Sequence, residues 1–161
     1  MKPSPLLSQT LLPAALLLAA TAQAQDISVI VVPPPEAPAL TQTARALVDA
    51  ANARVPQLDT AGLLAQLKTQ PETVILDVRT PAEVDYSGHI AAPHFLNITR
   101  GLLEFRIEGA VPDKRTPIVV YCGVSQRSAL AADTLVKLGY TSVRNYRDGF
   151  VNWKRAGLPI E

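Results

Sequence analysis

The chain has 161 residues, 15 Lys plus Arg against 14 Asp plus Glu, and a mean hydropathy of +0.16. Near-neutral charge gives no broad basic surface for nucleic acid or anionic membrane. One cysteine excludes an internal disulfide, so a fold of this length must be held by one hydrophobic core.

In chain order, Met1-Lys2, the apolar stretch from Leu6 to Ala20 and the triplet Ala22-Gln23-Ala24 read as a secretory signal peptide over 1–24. Pro13 interrupts the apolar stretch, which is short for a membrane span. Cleavage before Gln25 would remove one lysine and no acid, leaving 14 charges of each sign and a soluble protein in the periplasm or medium, off the membrane. Residues 25–56 read as linker and accessory helix. Asp26 to Val32 is β-like, Pro33-Pro34-Pro35-Glu36-Ala37-Pro38 is a stiff spacer, and Ala39 to Arg54 is a helix with Leu40, Ala44, Leu47, Val48 and Ala51 on one stripe. That helix (39–54) is a candidate contact for a protein partner.

From Gln57 to Glu161 short apolar runs alternate with helical patterns, which predicts one α/β domain with a central parallel sheet covered by helices on both faces. Asp59 or Thr60 caps a helix through Lys68. Val74-Ile75-Leu76 is a strand, Pro81 starts a short helix with Glu83 and Val84, and His94 to Ile98 is a strand before a helix near Gly101 to Ile107. Pro117 to Tyr121 is a buried strand, and a helix using Leu130, Leu135, Val136 and Leu138 follows it and stops at Gly139. Val143 to Tyr146 is the last strand and Gly149 to Arg155 the last helix, with Phe150 and Trp153 as core anchors.

Cys122 sits where that buried strand meets its helix, with Gly123-Val124-Ser125-Gln126-Arg127 between them. A thiol there faces successive backbone N–H groups and the positive end of a helix, both of which favour thiolate and can cradle an anion. A buried structural cysteine is the plainer alternative. A free thiol in an oxidising compartment argues for a chemical use.

Leu76-Asp77-Val78-Arg79-Thr80-Pro81-Ala82-Glu83, Gly88-His89-Ile90, Val119-Val120-Tyr121-Cys122 with Arg127-Ser128, Gly139-Tyr140, and Asp148-Gly149-Phe150 with Trp153 resemble, in order and spacing, the rhodanese (sulfurtransferase) family in its secreted single-domain form. The resemblance implies a ping-pong sulfur transfer in which Cys122 takes sulfur from a small donor such as thiosulfate and passes it from a persulfide to cyanide or a thiol acceptor, with no metal or organic cofactor. It implies that Gly123, Val124, Ser125, Gln126, Arg127 and Ser128 bind substrate through the loop, and that Asp77 and Arg79 are framework residues, Asp77 orienting loops and Arg79 pairing with Glu83. Arg100, at the same carboxyl edge of the sheet, is a candidate donor contact.

Four residues, Gly123 to Gln126, lie between Cys122 and Arg127, as in rhodaneses, whereas the related dual-specificity phosphatases have five. This favours sulfur transfer over an arsenate reductase or phosphatase. Ser125 departs from the family, whose active members often carry glycine there; Gly123 could supply the needed freedom instead. A non-catalytic module that binds a partner or senses redox state through Cys122 is the alternative from another class. His89 and His94, the two histidines, fit loop positions better than a base for Cys122 or a zinc site.

Overall fold

The computed structural model describes residues 42–161, so the expected signal peptide, the β-like run and proline spacer after it, and the start of the helix expected from Ala39 lie outside the described residues. Five strands form one sheet: β1 (Gln57–Leu58), β2 (Val74–Asp77), β3 (Phe95–Asn97), β4 (Ile118–Tyr121) and β5 (Val143–Tyr146). Their order is β1-β5-β4-β2-β3 and every pairing is parallel. The α/β sheet covered on both faces is therefore as expected. Among the described residues no helix is long and apolar enough to cross a membrane.

The strands alternate which face they supply. Ile118, Val120 and Cys122 face one side with Leu76, Val78 and Val143, packed against Leu103 and Ile107 of α4 (Leu103–Ala110) and Ala131, Ala132 and Leu135 of α5 (Gln126–Lys137). Val119 and Tyr121 face the other side with Ile75 and Tyr146, against Leu63 of α2 (Thr60–Thr69) and Phe150 and Trp153 of α6 (Gly149–Arg155). Both faces of β4 are closed, so all four of its residues are buried and its sequence shows no polar alternation. Trp153 donates to the Pro159 carbonyl at 2.8 Å and meets the Tyr146 ring edge-on, as suits a core anchor.

Local chemistry sets the helix starts. Asp59 accepts the Gly62 N–H at 2.8 Å and caps α2. At α3 (Pro81–Ser87) Thr80 and Glu83 form a reciprocal capping box with Pro81 in the first turn.

Several local expectations need correction. β1 is a strand that Gln57-Leu58 does not announce, because two residues carry no periodicity and their pairing with Asn145 and Tyr146 comes from the tertiary fold. The helix expected near Gly101 divides into a 3-10 turn (Arg100–Leu102) and α4. Leu47 and Val136 were expected on buried stripes but are exposed. The helix α1 (Gln42–Arg54) lies on α5, not on the sheet, so only a narrow side around Ala51 is covered; on α5 the sheet-facing positions are the small Ala131 and Ala132 with Leu135. Arg54 ties α1 to α5 through a two-bond fork on Asp133, at 2.7 and 2.8 Å.

Candidate active site

Cys122 follows the last residue of β4 and is 1% exposed, at the base of the turn that leads into α5. The backbone N–H groups from Gly123 through Ser128 make no hydrogen bond to any acceptor among the described residues, and the first amide of the α5 region to be bonded is that of Ala129, to the Ser125 carbonyl at 3.0 Å. A run of free donors at a helix N-terminus is an anion cradle.

The carbonyls of the same turn are held from outside. The Phe150 N–H donates to the Cys122 carbonyl at 2.8 Å and the Val151 N–H to the Gly123 carbonyl at 3.1 Å, so the first turn of α6 pins the loop with its donors facing away from α6. Gly149 permits this approach. Its φ is +70°, and a Cβ there would stand 2.5 Å from the Gly123 oxygen.

Ser125 has φ 71°, the one positive value at a non-glycine position among the described residues. The loop does need a left-handed residue there, and Gly123, whose φ is not positive, does not relieve it. Three contacts hold Ser125: the Asn145 side-chain amide donates to its hydroxyl at 3.0 Å, and the Ser128 hydroxyl and Ala129 N–H donate to its carbonyl at 3.1 and 3.0 Å.

Arg127 lies beside the sulfur. Its two terminal nitrogens donate to Glu83 at 2.6 and 2.8 Å, and the guanidinium is held above its ordinary value first by Glu83 and then by the neighbouring Cys122 sulfur. Glu83 in turn is lowered to about 2, chiefly by Arg127 and also by the Thr80 cap. The expected pairing of Arg79 with Glu83 is thus overturned. Arg79 turns inward at the end of β2, where burial demands a close counter-charge, and forks onto Asp77 at 2.6–3.1 Å, with further bonds to Ser87 and the Gly88 carbonyl. Its guanidinium lies 3.9 Å from the Phe150 ring centre. Asp77 also accepts the Arg79 N–H at 2.9 Å, which fixes the turn after β2.

Arg100 does not join this group. It donates to Glu104 and to Thr134 Oγ1 at 2.9 Å, about two helical turns along α5 from Arg127, so its side chain is directed away from the Cys122 loop. His89 stacks on Phe95 with centroids 3.7 Å apart and His94 is exposed, so neither is positioned as a base.

A cavity of about 450 Å³ lies between α3 and α6, with Tyr86, Gly123, Phe150 and Val151 among its lining residues. Sequence reasoning missed the parts played by Glu83, Asn145 and Gly149. The Thr80-x-x-Glu83 pattern announces a capping box, and hence where the carboxylate is fixed, but nothing local in Asn145 signals a contact with a loop twenty residues earlier.

Comparison with known proteins agrees with this geometry. Residues 60–156 match the family described as Rhodanese-like domain. A sulfurtransferase from Allochromatium vinosum is 34% identical over 106 residues, covering 66% of this chain and 94% of that protein. The polysulfide-sulfur transferase homodimer from Wolinella succinogenes superposes with a TM-score of 0.66 at 31% identity, covering 74% of this chain and 87% of its own. A protein of unknown function from Rhodopseudomonas palustris, described as a possible tyrosine phosphatase, has a TM-score of 0.65 at 35% identity and covers 78% of this chain and 99% of its own. These relatives support sulfur transfer as the general chemistry, and the chain belongs to the rhodanese-like family.

Proposed function

We propose that the protein moves sulfane sulfur from thiosulfate, or a similarly small anionic donor, to a thiophilic acceptor through a persulfide on Cys122. The observation that carries this reading is the run of unbonded amides from Gly123 to Ser128 placed with Arg127 around a single thiol. The Cys122 thiolate attacks the outer sulfur of thiosulfate; the new S–S bond forms as the old one breaks, and sulfite leaves with the electron pair. Cyanide or a thiolate then attacks the outer sulfur of the persulfide, and the Cys122 thiolate leaves. Negative charge resides on the loop throughout, first on the thiolate, then on the persulfide, and fixed N–H dipoles stabilise both without reorganising.

Burial of Cys122 restricts direct reaction to a slender donor. The four-residue spacing to Arg127 supports sulfur over phosphate, notwithstanding the likeness to a possible tyrosine phosphatase. Incubation with thiosulfate should add the mass of one sulfur atom to the wild type and none to Cys122→Ala, with thiocyanate formed when cyanide follows. Turnover that survives Cys122→Ala, or hydrolysis of aryl phosphates in place of sulfur loading, overturns the proposal.

A further inference from the structure

Arg127 is the one charged side chain between Cys122 and Ser128, so it sets the charge that the loop itself offers an incoming anion. A Cβ on Gly123 would lie 3.9 Å from Arg127 Nη2, which puts the guanidinium against the first residue of the loop. That positive charge is already met. Arg127 Nη1 donates to Glu83 Oε2 at 2.8 Å and Nη2 to Oε1 at 2.6 Å. The carboxylate is held in place from its other side, because Oε2 also accepts the Thr80 N–H and hydroxyl, both at 2.9 Å. A capping box needs only one carboxylate oxygen, and the second, Oε1, goes to Arg127. Each terminal nitrogen of Arg127 thus spends one of its two protons on Glu83, so contact with a donor stays open while the charge is offset. Arg79 is likewise neutralised by Asp77. The loop therefore meets an anion with fixed N–H dipoles and without an uncompensated guanidinium.

We infer that Glu83 is a specificity-determining residue, which by offsetting Arg127 turns the loop toward a singly charged sulfur donor, of the thiosulfonate class, and away from the doubly charged thiosulfate. Amide dipoles suffice for one negative charge; a second, brought up to the Cys122 thiolate, needs a free cation. Both donors react in the same way. The Cys122 thiolate attacks the outer sulfur, the new S–S bond forms as the old one breaks, and the leaving group takes the electron pair, as sulfite from thiosulfate and as a sulfinate from a thiosulfonate. This inference rests on the sulfur-transfer reading for its chemistry, but the charge preference is a separate property of the pair formed by Glu83 and Arg127.

The test compares thiosulfate with methanethiosulfonate, in which a methyl group replaces one anionic oxygen at nearly the same size. The ratio of their kcat/KM values is internal to each enzyme and so indifferent to the folded fraction. Glu83→Gln keeps the capping box and frees the charge of Arg127. In that variant the ratio of thiosulfate to methanethiosulfonate should rise about three- to fivefold at low salt, and the rise should shrink by about half or more at about 0.5 M salt. Glu83→Asp keeps the charge, and its ratio should stay within about twofold of wild type. An unchanged ratio in Glu83→Gln, or an equal rise in Glu83→Asp, overturns the inference and leaves sulfur transfer standing. Sulfate and methanesulfonate, titrated against the NMR signals of the loop amides, read the same preference without turnover. If neither donor loads sulfur but the relative affinity for sulfate rises in Glu83→Gln, Glu83 still sets the anion charge and the sulfur-transfer reading falls. If that affinity also stays the same, both are overturned.

Discussion

Asn145, buried on β5, donates its side-chain amide to the Ser125 hydroxyl at 3.0 Å and to Gln57 Oε1 at 2.8 Å, so a residue of the sheet holds the strained corner of the active-site loop. A left-handed conformation costs an ordinary residue about 1–2 kcal/mol. The bond from Asn145 returns about 1 kcal/mol. Ser125→Ala keeps the strain and loses the bond, whereas Ser125→Gly loses both. Urea unfolding should therefore find Ser125→Gly more stable than Ser125→Ala by about 1 kcal/mol. In a double-mutant cycle Asn145→Ala should cost less in the Ser125→Gly background than in wild type, by about 0.5–1 kcal/mol. Equal costs in both backgrounds would show that Asn145 does not act through Ser125.

Gly149 meets the same loop from the other side. Alanine there must adopt a φ of +70° and place its Cβ within 2.5 Å of the Gly123 oxygen and 3.1 Å of Val124 Cα. Both obstacles are backbone atoms, so no side chain can swing away. Strain and overpacking together should cost about 2–4 kcal/mol. The loop should shift before the sheet does, so kcat should fall by more than the folded fraction falls. Measuring turnover and circular dichroism on the same sample separates the two effects.

The long elements were legible from the chain and the site only in outline. The strands β2 and β4 are apolar, largely β-branched runs between turn residues, and α2 and α3 carry their own side-chain caps, so local rules suffice there. Cys122 and its loop were legible for the same reason: a strand ends, a helix begins, and the intervening residues carry the chemistry. What failed was partner choice among charged residues. Arg79 has Asp77 two positions before it and Glu83 four positions after it, and both spacings permit contact. Burial decided between them, since Asp77 is fully buried and must be neutralised, while Glu83 lies partly in solvent near Arg127. Arg100 was misplaced by similar reasoning, because a position at the carboxyl edge of a sheet says nothing of which way a long side chain runs.

The Glu83 and Arg127 pair makes a prediction in acid. The folded carboxyl titrates at about 2, below its ordinary value of 4.5, so the folded state binds that proton less readily than the unfolded chain. The resulting stability is complete above pH 4.5 and is lost as pH falls toward 2. Both side chains are about two-fifths exposed, so after screening the pair is worth about 1 kcal/mol or less. Glutamine can still serve the capping box, so Glu83→Gln isolates the charge. The variant should be less stable than wild type at pH 7 by up to about 1 kcal/mol, and the gap should close as pH approaches 2. A gap that does not change between neutral and acid pH would assign the difference to packing.

Arg79 offers the sharpest contrast between charge and shape. Its guanidinium reaches both oxygens of Asp77, the Ser87 hydroxyl and the Gly88 carbonyl, and covers the face of Phe150. Lysine conserves the charge but has one terminal nitrogen, so it cannot serve Asp77 and the end of α3 together. Removing the charge with Arg79→Ala strands a buried carboxylate and should cost about 3–5 kcal/mol. Arg79→Lys should lie between that variant and wild type, at about 2–3 kcal/mol, because the charge remains while the tie to Ser87 and Gly88 is lost. Urea unfolding should rank the three proteins in that order, wild type most stable and Arg79→Ala least, since only the arginine keeps both the Asp77 fork and the tie to the end of α3. An Arg79→Lys variant as unstable as Arg79→Ala would show that the stability lies in the fork and its ties to α3 and not in the charge.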